Sequence, residues 1–249
     1  MGEIIIMTSL HFNPPVIGHR GACAYAPENT MSSFIKAAQL NVKWVEFDVM
    51  SSSDGVPIIF HDETLNRTTN GQGEVSHASY AYLQTLDAGK WFNYIFSDER
   101  IPTLMTVISF LQEAKIAANI EIKSTPEQEE KLIQRVMTEM KPYLAKANDQ
   151  FLFSSFSITA LHTLRKLSPD CHIGLLLHEW HPDWKHICHS LNCVSVHVNE
   201  EIMTETMAHE MKAMNKKLLC YTVNDAKRAK ELFAWGVDAV FSDVPDKII

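Results

Sequence analysis

A chain of 249 residues with 46% hydrophobic and 21% charged side chains, only 9 Gly and 10 Pro, and no low-complexity tract has the composition of an ordinary globular protein rather than a disordered one. It is long enough to bury a full core as one domain spanning 1–249, and its length is close to that of a typical eight-stranded α/β barrel. The formal charge of −8, from 30 acidic and 22 basic residues, argues against a nucleic-acid-binding surface or a polybasic membrane patch, so an anionic ligand needs a locally positive pocket.

The start, Met1-Gly-Glu-Ile-Ile-Ile-Met7, has an acid where a secretory leader carries basic residues. No stretch approaches the roughly 18 apolar residues of a membrane span. Short β-branched or apolar runs then alternate with segments of helical period, the signature of βα units around a parallel sheet. The runs lie near 15–20, 43–49, 56–60, 117–122, 150–154, 172–177, 193–198 and 218–222, with a ninth near 239–242. Eight strands close a barrel, so one run must be a hairpin partner; 56–60 is the best candidate, because Asp54-Gly55 before it reads as a tight turn. Apolar residues recur at helical spacing over 28–40, 126–141, 158–167, 204–216 and 225–234. Asn29-Thr30 and Asn224-Asp225 offer caps, and Gly236 stands where a left-handed stop is useful. From 62 to about 102 the rhythm breaks into Thr, Asn, Gly and aromatic residues with no strong strand, which predicts an insertion over the C-terminal mouth of the barrel. Five cysteines, odd in number and without Cys-x-x-Cys spacing, predict reduced thiols and a cytoplasmic protein.

On a strand, residues i and i+2 share a face, so Glu46 and Asp48 project together, with Trp44 behind them. Glu121 and Lys123 repeat that geometry on another strand, adding a third carboxylate and an ammonium. Carboxylates crowded into one lumen repel one another and lose hydration, which costs free energy unless a cation lies between them. Singly, each pair is an ion pair or a solvated strand end. As a set they predict a site for one divalent cation, and all-oxygen ligation favours Mg²⁺ or Ca²⁺ over zinc. His19 and His61 each follow an apolar run, at the strand ends that form the catalytic face of an α/β barrel. Two imidazoles beside a phosphodiester can divide proton abstraction from leaving-group protonation, although most of the 12 histidines must be ordinary. Arg20 offers a planar fork suited to phosphate oxygens. Carboxylates, cations and imidazoles together suit cleavage of a phosphate ester on a bound metal. Glu28-Asn29 reads as bracing this loop or starting a helix. Phe156 and Tyr221, at other strand ends, can wall the group attached to phosphate, as core packing would equally explain. His197 stands between substrate contact and packing. The histidines at 178, 181, 186 and 189 match no zinc spacing and read as a solvated loop.

In chain order, His19-Arg-Gly21, Pro27-Glu-Asn-Thr30, Glu46-Phe-Asp-Val49, Asp54-Gly55, His61-Asp62, Leu65-Asn-Arg-Thr-Thr69, Ile101-Pro-Thr-Leu104, Asn119-Ile-Glu-Ile-Lys123, Thr222-Val-Asn224, Gly236-Val-Asp238 and Ser242-Asp243 resemble the glycerophosphodiester phosphodiesterase family over nearly the whole chain. The short cytosolic bacterial members are the most similar. The resemblance implies a TIM (β/α)8 barrel with a small insertion, and hydrolysis of glycerophosphodiesters such as glycerophosphocholine or glycerophosphoethanolamine to sn-glycerol 3-phosphate and an alcohol. It implies His19 and His61 as the acid/base pair, Glu46, Asp48 and Glu121 as ligands of one Mg²⁺ or Ca²⁺, and Arg20 and Lys123 as phosphate contacts. Two other readings stand beside it. A lysophospholipase D would use Tyr80, Tyr82, Trp91, Phe92, Tyr94 and Phe96 as an apolar rim to the mouth. A non-catalytic phosphodiester-binding barrel would have lost a histidine or a metal carboxylate, and this chain retains them all. The expected partner is a small-molecule substrate, with no nucleic acid and no stable membrane insertion; the oligomeric state is open.

Overall fold

The period-two apolar runs and the period-3.6 segments fold as alternating strands and helices in a computed structural model that describes residues 10–123, 125 and 127–248. The start at Met1-Gly-Glu-Ile-Ile-Ile-Met7 lies outside the described residues. In chain order the elements are β1 (Val16–Gly18), α1 (Met31–Gln39), β2 (Trp44–Ser51), β3 (Pro57–Ile59), α2 (Tyr80–Leu83), α3 (Leu104–Ala114), β4 (Ala117–Ile122), α4 (Glu129–Ala147) and β5 (Phe151–Ser155). There follow α5 (Ile158–Leu167), β6 (Ile173–Leu177), α6 (Trp184–Ser190), β7 (Ser195–Asn199), α7 (Glu205–Lys212), β8 (Lys217–Tyr221), α8 (Ala226–Ala234), β9 (Ala239–Ser242) and α9 (Pro245–Ile248).

Strands β1, β2 and β4 to β9 pair in parallel, and β1 bonds to both β9 and β2, so eight strands close into a TIM-type barrel. β3 lies antiparallel on β2, with Val49 opposite Ile59, which is the hairpin expected from Asp54-Gly55. Side-chain alternation divides each barrel strand between two environments. On β2, Val45, Phe47 and Val49 join the large core under the helices, together with Phe34, Leu104, Ile108 and Val136. Ile17, Trp44, Leu152, Leu219, Ala239 and Phe241 form a separate apolar cluster, the floor of the lumen, which Leu10 and Phe12 close from below. Two residues further along the same faces as Trp44, Ala117 and Leu152 the chemistry turns polar, with Glu46, Asn119 and Ser154 all buried.

Helix starts follow local capping chemistry. Thr30 accepts from Ser33 N at α1 and Asp225 from Arg228 N at α8, satisfying N–H groups that have no partner within the helix. Three expectations need correction. The segment 104–114 was not among the helices expected, yet Leu104, Val107, Ile108 and Leu111 have helical spacing behind the Thr103 cap and bury that face as α3. The helix expected to end at 141 runs through Pro142 to Ala147, because Met140, Tyr143 and Leu144 continue its apolar stripe against the core. The expected solvated loop around His186 and His189 is instead α6, a helix anchored by buried Trp184, Ile187 and Cys188 that leaves both histidines exposed.

The insertion has its own small core. Leu65, Val75, Leu83, Leu86, Ala88 and Ile101 pack on Met50, Ile58 and Phe60 of the hairpin, so it is seated on β2 and β3.

Candidate active site

The site begins with register. Asp48 lies opposite Glu121, and Glu46 opposite Asn119, on adjacent strands β2 and β4. The period of two turns all four side chains into the lumen. Oxygens of Glu46, Asp48 and Glu121 lie within 4.8 Å of one another, and all three residues are buried. Burial, then repulsion from Asp48 and Glu121, raises the Glu46 pKa well above the ordinary value. Burial and then Asp48 push Glu121 up to about 8. Asp48 goes the other way: burial acts to raise it, but Arg20, Lys123 and His61 and a hydrogen bond from Asn29 Nδ2 at 2.8 Å hold it low. Glu121 Oε1 is buried with no hydrogen-bond partner, 4.0 Å from Lys123 Nζ. An orphaned carboxylate oxygen beside two others is the arrangement that a hard divalent cation satisfies, so these residues fit such an ion.

Two cationic side chains border the carboxylates. Arg20 Nε lies 3.5 Å from Asp48 Oδ2 and Lys123 Nζ 3.6 Å from Asp48 Oδ1. The turn after β1 that carries Arg20 is tightly constrained. Arg20 has φ +48° and Gly21 φ +90°, and a Cβ on Gly21 would stand 2.4 Å from Ser33 Oγ. Ser33 Oγ holds the turn by donating to Arg20 O at 2.7 Å and accepting from Ala22 N at 2.9 Å. The turn in turn directs Arg20 N at Glu46 Oε2, 3.0 Å away. A left-handed arginine costs about 1–3 kcal/mol, a cost that surrounding structure must offset and that gathers at functional sites.

Each imidazole is oriented by a carboxylate. His19 Nδ1 lies 2.7 Å from Asp243 Oδ1, which also accepts from Cys23 Sγ at 2.8 Å, while Asn224 Nδ2 donates to Asp243 Oδ2 at 2.6 Å. Burial acts to raise the Asp243 pKa, but His19, Cys23 and Asn224 together outweigh it, so the carboxyl is held well below its usual range. His61 Nδ1 lies 2.6 Å from Asp62 Oδ1, and Arg67 holds Asp62 well below its usual range too. An ionised carboxylate accepts only, so both rings carry their proton on Nδ1, which leaves Nε2 as the unprotonated nitrogen of the neutral ring. Burial lowers the His61 pKa, which favours the neutral ring. His19 Nε2 is 3.9 Å from Glu46 Oε2.

A cavity of about 260 Å³ brings together all nine residues singled out from the sequence: His19, Arg20, Glu46, Asp48, His61, Glu121, Lys123, Phe156 and Tyr221. Phe156 and Tyr221 meet edge to face, with ring centroids 6.1 Å apart, and Tyr221 Oη donates to Leu177 O at 2.9 Å. Asn119, His178, Thr222 and Phe241 also line the cavity. Residues 178–183 are the largely exposed loop expected, and its first residue, His178, also reaches the cavity, two positions beyond Leu176 of β6. Asp243 had a visible signal in Ser242-Asp243 but no role. His197 is fully buried, bonded to Ser195 Oγ at 2.9 Å and packed on Phe241 at 5.3 Å, and burial takes its pKa down to about 3. It is not a lining residue. Gly174 makes room for it, since a Cβ there would stand 2.5 Å from His197 Nε2. None of the six insertion aromatics lines the cavity. Among the described residues no helix is long and apolar enough to cross a membrane.

The chain has known counterparts. Residues 19–247 match the Glycerophosphoryl diester phosphodiesterase family. A glycerophosphodiester phosphodiesterase from Caldanaerobacter subterraneus is 33% identical over 94% of this chain and 96% of its own length. Another from Bacillus subtilis is 30% identical over 92% of this chain and 83% of its own. The solved structure of an Oleispira antarctica phosphodiesterase, in complex with the product sn-glycerol-3-phosphate, has a TM-score of 0.91 and 38% identity and covers 94% of this chain and 95% of its own.

Proposed function

The chain belongs to the glycerophosphoryl diester phosphodiesterase family, and we propose that it is a metal-dependent hydrolase that cleaves glycerophosphodiesters such as glycerophosphocholine and glycerophosphoethanolamine to sn-glycerol 3-phosphate and an alcohol. The product named for the Oleispira antarctica relative supports the product side of this reading. The observation that carries it is one lumen holding three close carboxylates, two cationic heads and two carboxylate-oriented imidazoles.

In this reading Glu46, Asp48 and Glu121 hold one Mg²⁺ or Ca²⁺, and the ion supplies Lewis-acid charge that makes phosphorus more electrophilic. Arg20 and Lys123 bind the phosphate oxygens and draw the anion into a protein of net negative charge. One Nε2, of His19 or His61, removes the proton from the attacking oxygen, and the other returns a proton to the departing alcohol oxygen. Asp243 and Asp62 keep the two rings in the required tautomer, and stabilise each as it charges. Phe156 and Tyr221 exclude water on the side of the alcohol. The five cysteines are all unpaired, which supports a reducing cytoplasmic setting.

The test is release of sn-glycerol 3-phosphate, read by a coupled assay, from several glycerophosphodiesters, with chelator and then metal added back. Turnover that survives complete chelation would remove the metal from the reading. Lysophosphatidylcholine turned over faster than glycerophosphocholine would replace the substrate class.

A further inference from the structure

Arg67, in the insertion, is the unassigned residue whose contacts lead furthest into the site. Its Nε and Nη2 donate to Asp62 Oδ2 and Oδ1 at 2.7 and 2.8 Å. Its Nη1 and Nη2 donate to Glu28 Oε2 and Oε1, both at 2.7 Å. The second partner of Asp62 is His61 Nδ1, and the second partner of Glu28 is Arg20 Nη1 at 2.6 Å. One guanidinium thus closes a continuous hydrogen-bonded chain, Arg20, Glu28, Arg67, Asp62, His61, drawn from the β1 turn, the segment before α1, the end of β3 and the insertion.

We propose that Arg67 is a positioning residue that sets the phosphate-binding Arg20 and the catalytic His61 in register with each other, and that this is how the insertion serves the reaction. The proposal rests on the reading of Arg20 and His61 given above. Holding the insertion in place does not account for Arg67, because Leu65, Val75, Leu83 and Ile101 already seat that segment on the hairpin. All its side-chain hydrogen bonds among the described residues go to the two carboxylates that orient site residues. Charge alone does not account for it either. Two bidentate pairs on two edges of one plane require a guanidinium, and an ammonium cannot form them. Fixing Asp62 fixes the His61 ring plane and tautomer, and fixing Glu28 prevents the Arg20 fork from turning away from the anion. A displacement of about 1 Å in groups of this kind costs on the order of 100-fold in rate.

The test compares Arg67→Ala and Arg67→Lys with the wild type, with His61→Ala and, as a control, with Arg135→Ala, which removes an exposed α4 charge that does not line the cavity. Turnover of sn-glycero-3-phosphocholine is measured with divalent ion supplied, together with melting temperature and the ring ¹⁵N spectrum of His61. The expected result is a fall in kcat/KM of roughly 10- to 100-fold in both Arg67 variants, shared between lower kcat through His61 and higher KM through Arg20. Melting should stay close to wild type, and His61 should lose its single Nδ1–H tautomer, a change that a merely structural role would not produce. Wild-type kcat and KM in Arg67→Lys, or an unchanged His61 spectrum in Arg67→Ala, overturns the proposal while leaving the site reading in place. Wild-type protein no faster than His61→Ala overturns both together.

Discussion

The floor and the mouth of the lumen are built from the same strands, with the same alternation, and carry opposite chemistry. Ile17, Trp44, Leu152, Leu219 and Phe241 pack into one apolar cluster at the floor, where burial of each large side chain contributes about 1.5–3 kcal/mol. A few residues along, Glu46, Asp48 and Glu121 crowd together, two of them with raised pKa values and one with an oxygen that has no partner. The mouth is therefore unfavourable to build without a cation between the carboxylates, and the floor and outer core offset it. Stability and chemistry are separated along the strand axis.

The largest break in that comparison should come from the imidazoles. His19→Ala or His61→Ala should lower kcat by about 10²–10⁴-fold, with melting temperature close to wild type. Near-normal turnover in both would remove them from the chemistry. Leu152→Ala should do the reverse. A fully buried floor residue lost to a cavity costs about 2–5 kcal/mol in denaturant unfolding, with turnover per folded molecule retained. A matching loss of specific activity would mean that floor and mouth are coupled.

His197 sharpens the boundary between the two. Its folded pKa of about 3 lies below the ordinary histidine value of 6.5, so the unfolded chain takes up a proton that the folded chain refuses. The stability this neutral ring allows is fully present above pH 6.5 and is lost as pH falls from 6.5 toward 3, by up to about 1.4 kcal/mol per pH unit. Urea midpoints measured down that range should fall, and less steeply in His197→Asn; parallel slopes would contradict its neutral burial. The smallest effect is expected from Glu121→Gln. Removing one of three crowded carboxylates should stabilise the metal-free protein by roughly 1 kcal/mol while weakening metal affinity and turnover. A lower melting temperature without metal would show that the third carboxylate is not a strained group.

Some of this was legible in the chain alone because its signals are local. Asp54-Gly55 marks a hairpin, Glu46-Phe-Asp48 and Glu121-Ile-Lys123 mark inward faces, and Thr30 and Asp225 mark helix starts, since each depends on neighbours within four residues. Eight parallel strands and the family followed from the order of such signals. Other features carried too weak a local signal. α6 is amphipathic over only seven residues, and histidines hide its period. α4 crosses Pro142 because tertiary burial of its stripe outweighs one missing hydrogen bond.

By itself, then, the sequence determined the strand faces, the barrel and which nine side chains converge on one cavity, because period and spacing dictate direction. Tertiary structure alone decided which carboxylate steers which imidazole, that His197 is packing rather than contact, and that Arg67 bridges two arms of the site. Those pairings join residues up to 224 positions apart, as His19 and Asp243 are, and only closure of the sheet brings them within hydrogen-bond reach.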